Sequence, residues 1–200
     1  MHIWPNAYRN NGTDMAIQND ENGEVEFHFA DSIDRGFIDS LDFKVDGEFV
    51  ISAPDIDHID ILALVLKSPL APGEKITITT PFRVKIPLGI YSRLGHIGES
   101  YQITQWFPKP AVYDKDGWHP MPYLSQGEFY SEYGSYDVTI TLPKNYVVGA
   151  TGDLINGEEE IAWLENKVTE TELLLKEDKI GFWRKDGMDF PESSTELKTL

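Results

Sequence analysis

Five histidines, His2, His28, His58, His96 and His119, are the residues of this chain best suited to bind a metal or move a proton. None of them pair at the i, i+4 spacing of H-E-x-x-H, which sets two zinc ligands on one helical face with a glutamate base between them. His58 sits in the acidic turn DIDHID, where Asp55, Asp57 and Asp60 alternate and invite a cation. That run lacks the glycine at position six and the bidentate glutamate at position twelve that a calcium loop needs, so no calcium site is expected. His28 lies opposite the apolar side of its segment and reads as exposed. His96 and His119 flank the same loop, with a structural role favoured over metal binding. No serine occupies a G-x-S-x-G elbow, no glycine-rich phosphate loop occurs, and no cysteine is present to act as nucleophile or ligand. The carboxylates are too many to single out a glycosidase acid–base pair. Asp114-Lys-Asp-Gly117 reads as a turn. No catalytic residue and no metal ligand is therefore assigned.

Composition narrows the partners. Seventeen Lys+Arg against thirty-four Asp+Glu give a formal net charge of −17, which argues against nucleic acid and against anionic membrane surfaces. The longest apolar run, from Ile59 to Leu66, is broken by Asp60 and is too short to span a bilayer. The opening residues lack the charged and apolar regions of a signal peptide. The abrupt opening, and an apolar alternation cut short at the end, lead to the expectation of a piece of a larger protein.

The elements that must position these residues read mostly as strands. Glu24–Ala30 alternates, with Val25, Phe27 and Phe29 on one side. Leu41–Val45 and Glu48–Ala53 flank Asp46-Gly47, a pair suited to a type I′ hairpin turn. Ile59–Lys67 is apolar nearly throughout, as a strand buried on both faces would be. Glu74–Pro87 alternates again, with Pro81 marking an edge or a bulge. Tyr136–Leu142, Tyr146–Ala150, Glu160–Leu164 and Lys167–Lys176 complete the set. They are separated by turns at Pro143–Asn145 and Gly152–Gly157, and Glu170–Glu177 could instead form a short helix. No helical period exceeds two turns. The expected fold is all-β: an antiparallel, saddle-like β-sandwich with little helix, forming a single domain over residues 1–200.

One stretch departs from the rest. Gln105–Leu124 packs Trp106, Phe107, Tyr113, Trp118 and Tyr123 among four prolines. Proline removes a backbone donor and fixes φ, which excludes an ordinary helix or a central strand. Exposed rings cost solvation, so the segment is expected to be packed against its own sandwich or a neighbouring domain. Packing is favoured over a sugar-stacking platform.

With its surroundings, this stretch resembles the N-terminal domain of the aminopeptidase N family of gluzincin zinc metallopeptidases, in a bacterial branch. The resembling pieces are Leu70-Ala-Pro-Gly-Glu74 before a long strand, Trp106-Phe107-Pro108, Tyr136-Asp-Val-Thr-Ile-Thr-Leu-Pro143 and Tyr146-Val-Val-Gly-Ala-Thr-Gly152. Together they span roughly Leu62 to Gly152. The resemblance implies a non-catalytic β domain that packs on a thermolysin-like catalytic domain and helps shape the cleft for removing N-terminal amino acids from peptides. Zinc and its ligands would belong to that domain, since neither H-E-x-x-H nor a G-x-M-E-N segment occurs in these 200 residues. The implied partners are the catalytic domain and peptide substrates, and by analogy with bacterial relatives the location would be exported.

The family places a glutamine, a glutamate and an arginine ahead of the aromatic–proline step. Glu99 stands at the glutamate, but Ile97 and Gln105 replace the other two. Glu99, Gln102 and Gln105 are thus candidates for a polar edge facing the cleft. Trp106, Phe107, Tyr113, Trp118 and Tyr123 are candidates for interdomain packing. A carbohydrate- or ligand-binding β-sandwich module is the alternative, and a stand-alone glycosidase-like enzyme is the least favoured.

Overall fold

A computed structural model describes residues 1–155, 157–176 and 194–200. The fold is mainly β, and the paired strands run antiparallel. The chain divides into two compact units, Met1–Tyr133 and Gly134–Leu200.

The first unit opens with a 3-10 helix, Trp4–Tyr8, whose Pro5 supplies a preset φ where no donor is needed. Helix α1 (Asp14–Glu21) follows, a segment in which the sequence pattern revealed no helix. Its ends explain it. The Thr13 hydroxyl accepts from the Ala16 N–H as an N-cap, and Asp14 sits where the helix dipole favours an anion. At the other end Gly23 takes φ 79°, while the Glu24 N–H reaches the Asn19 carbonyl at 2.8 Å and the Gly23 N–H reaches Asp20 at 3.1 Å. Those two bonds are a Schellman closure.

Strands β1 (Phe37–Asp39), β2 (Lys44–Val45), β3 (Glu48–Phe49), β4 (Ile51–Pro54) and β5 (Leu62–Val65) come next. They are followed by β6 (Ile78–Thr79), β7 (Arg83–Lys85), β8 (Gly95–Ile97), β9 (Ser100–Gln102), β10 (Val112–Asp114) and β11 (Gly117–His119). Pairing is mostly in ribbons: β1 with β7, β4 with β5, β8 with β9 and β10 with β11, beside one three-stranded sheet in the order β3–β2–β6. The Asp46-Gly47 turn has the expected form, with φ of 50° and 82° and Val45 opposite Glu48. The Asp46 carboxylate also accepts from the Thr77 N–H at 2.9 Å, tying the turn to β6. At Pro81 the long alternating segment breaks, and its two halves join different sheets.

Two apolar clusters fill this unit. One gathers Trp4, Ala7, Tyr8, Met15, Phe27, Leu94 and Tyr123. The other gathers Ile3, Ile38, Phe43, Val50 and Leu62. Glu24–Ala30 is a run of turns rather than a strand: Phe27 is 1% exposed, but Val25 and Phe29 remain at the surface. Its backbone bonds are local, and Phe27 alone is drawn in, edge-on to Tyr8 and Tyr91 with the Arg35 guanidinium over its face. The Ile59–Lys67 run is also corrected. Only Leu62–Val65 is strand, and Ala63 and Val65 face out, so the run is half-buried.

The second unit holds β12 (Thr141–Pro143), helix α2 (Glu158–Lys176) and β13 (Leu197–Thr199), with β12 paired to β13. Glu160–Leu164 and Lys167–Lys176, read as strands, belong to α2, which corrects the expectation of no long helix. The physical reason lies in composition: Glu, Leu and Lys favour helix, three glutamates occupy the first turn, Lys176 the last, and Lys167 pairs with Glu170 one turn on. Short apolar runs cannot by themselves separate strand from helix. Glu177, and Asn156 within the expected 152–157 turn, lie outside the described residues. Tyr146–Ala150 is irregular, with a turn bond from the Tyr146 N–H to Pro143. The Lys198–Glu160 ion pair, 2.6 Å and largely sheltered, joins β13 to α2, with the ammonium also over Trp163.

Candidate functional site

The aromatic–proline segment is built into the first unit by both of its ends. At its start Gln105 adopts φ 52°, a left-handed conformation unfavourable for a residue with a side chain. Beyond it, Lys109 and His2 exchange backbone bonds: the His2 N–H donates to Lys109 at 2.7 Å and the Lys109 N–H donates to His2 at 3.1 Å. Proline at 108 and 110 leaves Lys109 as the residue of that step able to donate. At the far end, the Met121 carbonyl accepts from the Trp4 indole at 3.0 Å, and the Met121 N–H donates to Nε2 of His2 at 3.1 Å. The Tyr123 N–H donates to the Asp60 carboxylate at 2.6 Å.

Between these anchors the chain forms the β10–β11 hairpin. Its turn is the expected one, closed by the Asp116 N–H donating to the Asp114 carboxylate. Tyr113 and Trp118 are cross-strand partners on one face of the hairpin, with ring centroids 4.9 Å apart, and each is 65% exposed. Alternation sends Val112, Asp114 and His119 to the other face. There Nε2 of His119 meets the Asp114 carboxylate at 2.7 Å, and that bond holds the carboxyl below its usual range.

The five packing candidates therefore divide. Tyr123 is 1% exposed and is consumed by the unit's own core, packed on Tyr8, Trp4 and Phe129, so its ring is not available to a second domain. Trp106 and Phe107 are half-buried and touch edge-on, and Trp106 also reaches Phe82. Only Tyr113 and Trp118 project. Of the polar-edge candidates, Glu99 lies in the β8–β9 turn and Gln102 at the far end of β9, about 10 Å away along the strand. Gln105 turns its amide oxygen to the Lys109 ammonium.

The histidines also part company. His96 stacks on Tyr101 and bonds the Gly98 carbonyl, whereas His119 pairs with Asp114, so the two do not form a joint site. His28 is exposed and bonded to Asp20. In DIDHID, Asp55 caps the turn by accepting from the N–H groups of Asp57 and His58, while Asp60 points inward. His58 reaches Asp14 at 2.8 Å, and this bond raises its pKa. Among the described residues, no three acidic or histidine side chains converge on a metal position, and no helix is long and apolar enough to cross a membrane.

Three perturbed groups were not evident from the sequence. Burial raises the Asp60 carboxyl to about 6. Burial, with the N-terminal and Lys109 charges, lowers His2 to about 4, so its ring is neutral and accepts from Met121. Burial alone lowers Lys109 to about 8. The break that Asp60 makes in an apolar run was a usable signal for the first. Nothing local marked the other two: Met121 bonds the His2 ring and Trp4 lies against Lys109, each from more than a hundred residues away in sequence. Compared with family models, with curated proteins and with solved structures, the chain matches none.

Proposed function

We propose that this chain is the non-catalytic N-terminal β module of a zinc-dependent aminopeptidase, packing on a thermolysin-like catalytic domain and helping to shape the cleft that receives peptide N-termini. Zinc, its ligands and the general base would come from that domain. The order of motifs from Leu62 to Gly152 supports the reading. The observation that carries it is the contrast within one segment. Tyr123 and Met121 are anchored to Asp60, Trp4 and His2, while Tyr113 and Trp118 stand out on the hairpin between the anchors. A rigid base with a projecting aromatic pair suits a docking seam, because rings lose little entropy when covered and bury much apolar area.

The test is calorimetric titration of the chain with the catalytic domain of a bacterial zinc aminopeptidase. Saturable binding is expected, weakened about tenfold in the Tyr113→Ala/Trp118→Ala double variant, the loss of one aromatic hot spot. The chain alone, supplied with zinc, is expected to leave aminoacyl anilides intact. Hydrolysis by the chain, or no binding, would sink the proposal.

A second reading, a carbohydrate-binding β module, is favoured by the same exposed rings. Their planes are tilted by 55° instead of lying flat, which gives a poorer platform for a sugar. It predicts a change in tryptophan fluorescence on titration with oligosaccharides, and silence across a broad panel would count against it.

A further inference from the structure

We propose that the loop from Glu24 to Asp34 is a docking surface for a basic amphipathic helix of a protein partner. Three observations converge on it. The first is exposure. Phe29 and Ile33 are each 77% exposed, and Val25, whose carbonyl accepts from the Phe29 N–H, is also at the surface. A single bare apolar side chain is ordinary, but two so exposed within one short loop need a reason. The second is rigidity. Phe27 sits in the core, the Arg35 guanidinium donates to the Phe27 and Ala30 carbonyls, and the Asn11 amide donates to that of His28. The Lys85 ammonium donates to the Ser32 carbonyl at 2.7 Å, and the Leu88 N–H donates to that of Asp34 at 2.8 Å. A loop pinned along its length presents its apolar side chains already in place, so covering them costs little backbone ordering.

The third is charge. Asp20, Glu21, Glu24, Glu26 and Asp31 are exposed in and beside the loop. The cations among them are engaged: Arg35 lies over the Phe27 ring, Lys85 is on Ser32, and His28 is bonded to Asp20. Apolar points set among acids complement a helix whose apolar stripe is flanked by lysine or arginine. A second copy of the chain, with its net charge of −17, would set acid against acid, and an anionic membrane would do the same. The dimensions agree. Phe29 and Ile33 are four residues apart and so separated by at most about 14 Å, and the stripe of a fourteen-residue helix runs about 21 Å. The surface shares no residue with the β10–β11 hairpin, so it stands or falls independently of the proposed function.

The experiment titrates the 15N-labelled full chain with a fourteen-residue peptide of leucine and lysine arranged as an amphipathic helix, and with a scrambled peptide of the same composition. The largest amide shifts are expected between Val25 and Arg35. Phe29→Ala/Ile33→Ala should weaken binding about tenfold, the loss of one hot spot. Both side chains are exposed, so that variant should keep the parent's melting temperature. Glu26→Gln/Asp31→Asn should weaken binding severalfold at 50 mM salt and hardly at all at 300 mM, where screening has already removed the attraction. Tyr113→Ala/Trp118→Ala should bind as the parent does. The scrambled peptide should bind more weakly and be indifferent to Phe29→Ala/Ile33→Ala. Shifts centred elsewhere, equal affinity for the two peptides, or parent-like affinity in the Phe29→Ala/Ile33→Ala variant would each overturn the proposal.

Discussion

The carboxylate of Asp60 accepts the backbone N–H of Tyr123 at 2.6 Å, across sixty-three residues of sequence and almost wholly out of water. One charged oxygen thus ties the acidic turn to the end of the aromatic–proline segment. The Ile3 N–H donates to the carbonyl of the same residue, so the chain's opening is fastened there too.

This arrangement fixes a pH dependence of unusual sign. The folded pKa of Asp60, about 6, lies above the unfolded value of 3.8. The folded state therefore binds the extra proton, and the contribution of Asp60 to stability falls as pH rises from about 4 through 6. In denaturant titrations, the Asp60→Asn variant should lack this part of the slope and gain on the parent between pH 4 and pH 7. The limit is about 3 kcal/mol, from the two-unit separation of the pKa values. A parent and variant with parallel pH profiles would refute it.

His58 has the ordinary sign for a histidine with an acidic partner. Its bond to Asp14 raises the folded pKa above 6.5, so the stabilisation is complete below 6.5 and is lost as pH rises through the folded value. Both side chains are about a third exposed, and solvent screening keeps the effect small. Imidazole NMR titration should place the His58 midpoint above 6.5, and Asp14→Asn should move it down. No movement in that variant would show that Asp14 is not the cause.

The core of the first unit contains a buried chain of hydroxyls. Tyr8 and Tyr123 meet oxygen to oxygen at 2.9 Å, Ser92 joins Tyr123 at 3.1 Å, and the Leu94 N–H points at the Tyr8 oxygen. Burial pushes the Tyr8 phenol well above its usual range, so it stays neutral at any working pH. Tyr8→Phe removes that oxygen with hardly a change in packing and strands the Leu94 N–H and a Tyr123 bond. Chemical denaturation should register a loss of about 1–3 kcal/mol. Tyr113→Phe, on the exposed face of the hairpin, should stay within about 0.5 kcal/mol.

Local chemistry carried part of this far. Asp46-Gly47 announced its own turn because the pair accepts two positive φ values, and Asp114–Gly117 did so because an aspartate can close a turn on its own backbone. Pro81 announced the break between β6 and β7 because it cannot donate to a ladder. The failures have a common cause. Val25, Phe27 and Phe29 alternate as a strand would, yet only Phe27 finds a pocket, since the pocket is made by Tyr8, Tyr91 and Arg35. Glu160–Leu164 reads equally as strand or helix over five residues, and its helical flanks settle the matter.

From the sequence alone came the mainly β character, the antiparallel turns, the acidic surface and the singular aromatic–proline segment, all of which rest on neighbours within a few residues. Which of its rings are anchors and which project was decided only in three dimensions. Tyr123 is inside because Asp60, Tyr8 and Trp4 converge on it, while Tyr113 and Trp118 are outside because β10 and β11 pair with those two on the face opposite Val112. The setting of the Lys109 ammonium is of the same kind, since the Trp4 ring it lies over is brought to it by the fold from the opening of the chain.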